Sequence, residues 1–531
     1  MAVGIRKHPM ERFIMNVNRR KFLVLAAGVP LAAAGTYVFL RDPARAGSRD
    51  FRAPLFIPGG SGPFGVLEPK DALKFTTELG AFPLAGGKTT PFMWYRTSHR
   101  GMDYLNPILK VKTGQRLKIT LANALNEGTI LHWHGLHLPG NMDGHPRDTI
   151  GPGKEYPYDF TVRNRGGTYW YHTHAHHFTA KQAYSGLASF FLVEDDDEAA
   201  LSKALDLQLG VTDLPLVIQD KRLNAAGEFV YAPNPMEGMM GYLGDTIFAN
   251  LTPTPLAEIG TRIYRFRLLN GSNARIYKLA FVKGRRSLPY HIIGTDGGLL
   301  DKPYQVTEAF LAPGERLDVL LDAGSLAVGD EVFLRSLKFD SLEGGGMMGR
   351  MHAASLPNGE IFDVMKLKVT QRAGAARPLP ARLSRIVPID TKNAAVRKVD
   401  IEMARMRWLI NGETYREDAY PIEVRRNTVE LWDIRNANHS MPHPMHMHGF
   451  QFQVLSRRNS PAQVRALGVH GNGRAASDLG WKDTVLVWPG ETVRLAVDFT
   501  HDFDGDQVYV FHCHNLEHED NDMMVNMRVR A

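Results

Sequence analysis

Three stretches of this 531-residue chain follow one order of events, and that repeat limits the possible folds more than any other feature. Alternating apolar and polar runs at 117–121, 262–268 and 429–434 each lead to an asparagine: Asn123, Asn270 and Asn436. Each is followed later by a Pro-Gly turn opening another strand, at Pro152-Gly153, Pro313-Gly314 and Pro489-Gly490. A further run closes each copy, at 168–172, 332–336 and 507–512. Alternation over five to eight residues, bounded by Asn, Gly and Pro, is the pattern of strands with one face buried. Three copies of one supersecondary order predict an all-β chain of three related, consecutive β-sandwiches. The acidic run 194–198 and the Ala/Arg/Pro-rich stretch 371–388 mark boundaries. The expected domains are 50–198, 205–370 and 395–531, with a linker at 371–394 and a leader at 1–46.

The copies differ in their chemistry. The third ends in His512-Cys513-His514, followed by His518, Glu519 and Met523. Cys513 is the only cysteine, so no intramolecular disulfide is possible. Thiolate, imidazole and thioether form the ligand set of a blue-copper electron-transfer site, with methionine as the weak axial ligand. On a strand, Cys513 faces one way and His512 and His514 the other, so a single strand can serve metal on both of its faces. His132-Trp-His134-Gly135, His172-Thr-His174 and His443-Pro-Met-His446-Met-His448-Gly449 add imidazoles at strand spacing. The middle copy has Asn270-Gly-Ser-Asn-Ala-Arg275 and Arg335-Ser-Leu-Lys338 at the matching places, cannot bind copper in the same way, and reads as a spacer.

These four clusters, in this order, resemble the ligand motifs of the multicopper oxidases, and the run from His512 to Asp520 is most similar to the bacterial copper-efflux oxidases. The resemblance covers essentially the whole chain after the leader. It implies three cupredoxin domains holding four copper ions, with a trinuclear cluster between the first and third. Carried over by motif, His443, Cys513, His518 and Met523 fall on the type 1 copper. His132 and His446 fall on the type 2 copper; His134, His172, His174, His448, His512 and His514 fall on the type 3 pair. Asp143 and Glu519 stand where the family has acids near the cluster, suited to relaying protons. The implied reaction is one-electron oxidation of a reductant coupled to four-electron reduction of O2 to water.

The reductant is less constrained. Met236, Met239 and Met240, and Met347, Met348 and Met351, lie in Gly-rich, loop-like segments, and thioethers favour Cu(I). Met441 precedes His443 where copper-efflux oxidases use a methionine at their substrate site, whereas His439 replaces the family's acidic residue there. Cu(I) oxidation in copper tolerance is therefore expected. The alternatives are a laccase-like oxidase of phenols or aromatic amines, and a cupredoxin-fold division or scaffold protein without metal. Relatives of the last kind are missing ligands, whereas every ligand is present here. Long Met-bearing segments over His518 would disfavour the laccase-like reading; an open groove there would favour it.

Arg19-Arg20-Lys-Phe-Leu, an apolar run to Leu40 and Ala44-Arg-Ala46 form a bacterial export signal resembling the twin-arginine type, which predicts a periplasmic protein. An n-region starting at Met15 would have more ordinary length. A membrane anchor is the competing reading of 22–40, but Gly28, Pro30 and Gly35 interrupt it, so no stable span is expected. The net charge of +7 is spread along the chain with no aromatic-interleaved basic stretch, which excludes nucleic acid as a partner. O2 and a small reductant are the expected partners of a monomeric enzyme.

Overall fold

The computed structural model describes residues 51–84, 87–343, 355–373, 377–404 and 406–531. The leader, and with it the export signal, lies outside the described residues, as do Met347, Met348 and Met351. Residues 48–531 form one compact unit made of three two-sheet sandwiches. The first sandwich pairs a six-stranded with a five-stranded sheet, the second a seven- with a six-stranded sheet, and the third two five-stranded sheets.

The repeat is a repeat of topology. In one sheet of each sandwich the asparagine-bearing strand (Arg116–Asn123, Ile263–Asn270 or Val429–Asn436) lies parallel to an earlier strand and antiparallel to the strand after the Pro-Gly turn. In the other, the closing strand (Gly167–Thr173, Glu331–Ser336 or Gln507–Cys513) pairs antiparallel with its successor, which pairs parallel with a short earlier strand. The asparagines do the same work three times. Asn123 Nδ2 donates to the carbonyls of Glu127 and Ile150, at 2.8 and 3.0 Å. Asn270 Nδ2 donates to Arg275 and Leu311, at 2.8 and 2.9 Å, and Asn436 Nδ2 to Met441 and Val487, at 2.7 and 3.0 Å. Each amide thus ties the loop after its strand to the residue two before the proline.

Two elements differ from the sequence-based expectation. Met236, Met239 and Met240 do not lie on a loop: Pro235–Met240 is a short helix, started by a capping box between Asn234 and Glu237 with proline at its first position. The strand Ile263–Asn270 has no solvent face, although its alternation suggests one. Arg265 and Arg267, on its polar side, are buried against Glu198, Asp213 and Asp318. Glu198 belongs to the helix Asp196–Leu205, so the acidic run is a capped helix start that folds back on the middle sandwich. No helix among the described residues is long and apolar enough to cross a membrane.

Asn436→Ala and Asn270→Ala should each cost about 2–4 kcal/mol in denaturant unfolding, because each strands two buried carbonyls. Only Asn436→Ala frees the loop carrying Met441 and His443, so only that variant should disturb the packing of His443 against Cys513.

Candidate metal centre

Gln507–Cys513 is fully buried and runs between Met524–Arg530 and His443–Met447. Its alternation places Cys513 in the core of the third sandwich. There its Sγ lies 3.4 Å from His443 Nδ1 and 3.5 Å from His518 Nδ1. Ser440 Oγ is 3.1 Å from the far nitrogen of His443, and Asn515 Nδ2 is 3.3 Å from that of His518, so both rings turn Nδ1 toward the sulfur. The Asn515 amide N–H points at the same sulfur, and Met523 is fully buried in this core cluster. Burial pushes the Cys513 thiol well above its usual range. A bound cation reverses that, because coordination deprotonates a thiol outright.

On the other face of the strand, eight buried histidines of the first and third sandwiches meet. His132 stacks on His448, and His134 on His446, each pair with ring centres 3.7 Å apart. Most of these rings turn Nδ1 outward. Carbonyls serve His132 (Asp143), His172 (Thr173), His446 (Asp483) and His512 (Cys513), and the Asp143 carboxylate serves His448 at 2.7 Å. Partners of this kind fix the tautomer, leaving Nε2 as a lone pair. Those lone pairs converge: His448 and His512 approach Nε2 to Nε2 at 3.0 Å, and His174 and His512 at 3.3 Å. The Nε2 atoms of His132 and His446 have no hydrogen-bond partner. Acceptors packed against acceptors in a dry interior repel unless a cation lies among them. The groups His132/His446/His448, His132/His134/His172, His174/His448/His512 and His443/Cys513/His518 each bring their ligand atoms within 4.8 Å. Imidazole at the cluster and imidazole with thiolate at Cys513 are donor sets that fit copper.

Two carboxylates border the cluster. Asp143 takes the Nδ1 proton of His448 on one oxygen and has no partner for the other. Glu519 places its oxygens 3.4 Å from His174 Nδ1 and 3.3 Å from His512 Nδ1. Burial raises the pKa of both. Next to Glu519, burial raises Asp520 to about 8 while it caps the helix Thr179–Tyr184.

Of the suggested substrate residues, His439 is exposed and Met441 is buried in the core of the third sandwich. Met441 therefore packs as an apolar side chain instead of facing solvent. His176 pairs with Asp522 at 2.8 Å, and His145 caps a turn and contacts Asn526, so neither joins the cluster. Three neighbours of the site carry no metal-ligand signature in the sequence. Trp408 covers His443 and His518, with ring centres at 4.7 and 5.4 Å. Trp170 stacks on His172 at 4.2 Å. Asp483 lies 3.0 Å from His134 Nε2.

The multicopper oxidase family pattern matches residues 97–198 and 388–531, the segments that hold every histidine of the two centres. A multicopper oxidase of Staphylococcus aureus is 32% identical over 430 residues, covering 80% of this chain and 82% of its own. The chain belongs to the multicopper oxidase family. The solved multicopper oxidase McoA of the hyperthermophile Aquifex aeolicus superposes with a TM-score of 0.80 at 39% identity, over 90% of this chain and 99% of that one. The cell division protein FtsP of Edwardsiella tarda is also similar, 30% identical over 97% of this chain and 99% of its own. The three sandwiches are thus cupredoxin domains, and both centres fall within the segments that the family pattern matches.

Cys513→Ser should abolish the blue colour of the copper-loaded protein while leaving its far-UV circular dichroism β-rich. Retained colour would refute the assignment, because no other thiol exists. The apoprotein should also be acid-sensitive in a defined window. Burial lowers the histidines of both centres, His512 to about 4 and His518 to about 3, against 6.5 when unfolded. Below pH 6.5 the unfolded chain therefore binds more protons, and stability falls as pH falls toward 4. Melting curves of apoprotein at pH 7.5 and 5 should show that loss. Copper-loaded protein should show less of it, since bound metal excludes the protons.

Proposed function

We propose that this multicopper oxidase is a cuprous oxidase, taking single electrons from Cu(I) at the type 1 position and passing them to O2 at the cluster. The observation that carries this reading is the cover over the electron-entry histidines. His443 and His518 are fully buried. Trp408 lies against both, its indole N–H donating to the Met239 carbonyl at 2.8 Å. Met236, Met239 and Met403 pack on the same core from the helix Pro235–Met240 and the strand Ala395–Ala404. A phenol or aromatic amine must reach a histidine edge to donate its electron, and here the Trp408 indole lies against both rings, anchored to the main chain of the methionine-bearing helix. Thioether sulfur is a soft ligand that favours Cu(I).

The complete donor set favours an enzyme over a metal-free division or scaffold role. We assign four coppers: one to His443, Cys513, His518 and Met523, one to His132 and His446, and two to the remaining six histidines. Copper so held supplies one-electron acceptance at the thiolate and four-electron reduction of O2 at the cluster. The rest is the work of the chain. Cys513 is bonded through the backbone to His512 and His514, giving electrons a short covalent route between centres. Ser440 and Asn515 hold the type 1 imidazoles in place. Glu519 and Asp143, whose pKa burial raises, border the cluster histidines and are placed to relay protons toward the oxygen site. The twin-arginine leader supports export of the folded protein, with periplasmic copper tolerance as its setting.

Oxygen uptake with Cu(I) and with an aromatic amine, each at full copper loading, tests the assignment. Trp408→Ala should keep the blue colour and raise the ratio of amine to Cu(I) turnover at least about tenfold, a change of about 1.4 kcal/mol in relative barrier. An unchanged ratio would show that the cover does not select the donor.

A further inference from the structure

The middle domain binds no copper through its own repeat, yet it reaches the cluster. Arg316 opens the strand Arg316–Asp322, directly after the turn Pro313-Gly314-Glu315, and its side chain is fully buried. All five of its donors are used. Nε donates to the Thr168 carbonyl at 3.1 Å, Nη1 to the Gly314 carbonyl at 2.8 Å, and Nη2 to the Asp296 carbonyl at 3.0 Å. The remaining two hydrogens grip both oxygens of Asp483, at 2.9 and 2.5 Å. A guanidinium fork on a carboxylate fixes direction as well as charge.

Asp483 carries that fixed direction to the histidines. Its Oδ1 lies 3.0 Å from His134 Nε2, and its main-chain carbonyl is 2.9 Å from His446 Nδ1. Thr484 Oγ1 joins the same knot, 2.9 Å from Asp483 Oδ1 and 3.3 Å from His134 Nε2. His134 is the exception among the cluster rings. Its outward nitrogen is Nε2, so Nδ1 is left facing His172 Nε2 at 3.3 Å. Two glycines make room for this arrangement. A Cβ on Gly135 (φ +86°) would lie 2.3 Å from Asp483 Oδ2 and 2.9 Å from Arg316 Nη2. A Cβ on Gly314 (φ +81°) would lie 2.9 Å from the His514 ring. The three domains therefore meet at one ion pair: Gly135 and His134 from the first, Arg316 from the second, Asp483 from the third.

We propose that Arg316, acting through Asp483, is a positioning residue for the trinuclear centre, selecting the nitrogen that His134 presents and the tilt of His446. The middle domain is then more than the spacer suggested by its lack of paired histidines. With Arg316 removed, Asp483 becomes a buried carboxylate left with the Thr484 hydroxyl and the rings of His134 and His446 as its side-chain neighbours, and its hold on those rings changes. Outer partners of this kind change metal affinity or activity by about ten- to a hundredfold when lost.

The test uses copper-loaded full-length protein carrying Arg316→Lys, Arg316→Gln or Asp483→Asn. Arg457→Gln serves as a control, removing another buried, doubly paired arginine, held by Asp478 and Glu491, that touches no cluster histidine. The readouts are copper content, the blue band, the type 2 electron paramagnetic resonance hyperfine splitting, the near-ultraviolet band of the coupled pair and oxygen uptake. The expected result is an intact blue band, a shifted type 2 signal or weakened coupled-pair band, and oxygen uptake lowered about ten- to a hundredfold. Arg316→Lys should not rescue the signals, since an ammonium restores charge without the fork. Arg457→Gln should lower the melting temperature and leave the cluster signals alone. Unchanged cluster signals in Arg316→Lys and Asp483→Asn would overturn the proposal, as would an equal shift in Arg457→Gln. If Arg316→Gln does not accumulate, the lysine and asparagine variants still decide.

Discussion

The structure depends on neutral imidazoles held with their lone pairs facing one another across the seam between the first and third domains. Burial keeps these histidines uncharged. Main-chain carbonyls and the Asp143 carboxylate take the outward N–H of most of them. What remains is a set of acceptors at 3.0–3.3 Å in a site without competing donors. Such a seam is repulsive without a cation and cohesive with one, so bound metal adds to the stability of the folded chain. The stacked pairs His132/His448 and His134/His446 cross this seam directly.

One scaffold serves three different ends. In each domain an asparagine amide and a Pro-Gly turn hold the loop after the same strand. In the first and third copies that loop leads to ligand histidines. In the middle copy it leads to Arg275, whose guanidinium is occupied by Asp220 and by the carbonyls of Gly244 and Leu356. Freed from ligation, the middle Pro-Gly turn instead packs against His514 and launches Arg316 toward Asp483. Without paired histidines of its own at those places, this domain reaches the cluster from outside.

The strand Gln507–Cys513 links the two centres because side chains alternate along it. The sulfur belongs to the apolar core of one sandwich and the neighbouring imidazoles to the seam between two. The two centres are thereby separated by a peptide backbone yet joined through bonds. Trp408 covers His443 and His518 on one side, and the buried carboxylates Asp143 and Glu519 border the cluster on the other.

The ligands were legible because their spacing is local. His-x-His puts two rings on one strand face, and His-Cys-His splits them between two faces, whatever the rest of the chain does. The threefold strand order was legible for the same reason, as period-two alternation punctuated by Asn and Pro-Gly. The sequence by itself thus determined the three sandwiches, the thiolate centre and the identity of the cluster histidines. Tertiary structure alone decided which nitrogen each ring presents, that Arg265 and Arg267 lie in the interior, that Trp408 covers the type 1 histidines, and that Arg316 meets Asp483. These contacts join residues far apart in sequence, 167 positions in the last case. An arginine on an alternating strand reads as solvent-facing until a carboxylate from another domain arrives to compensate its burial.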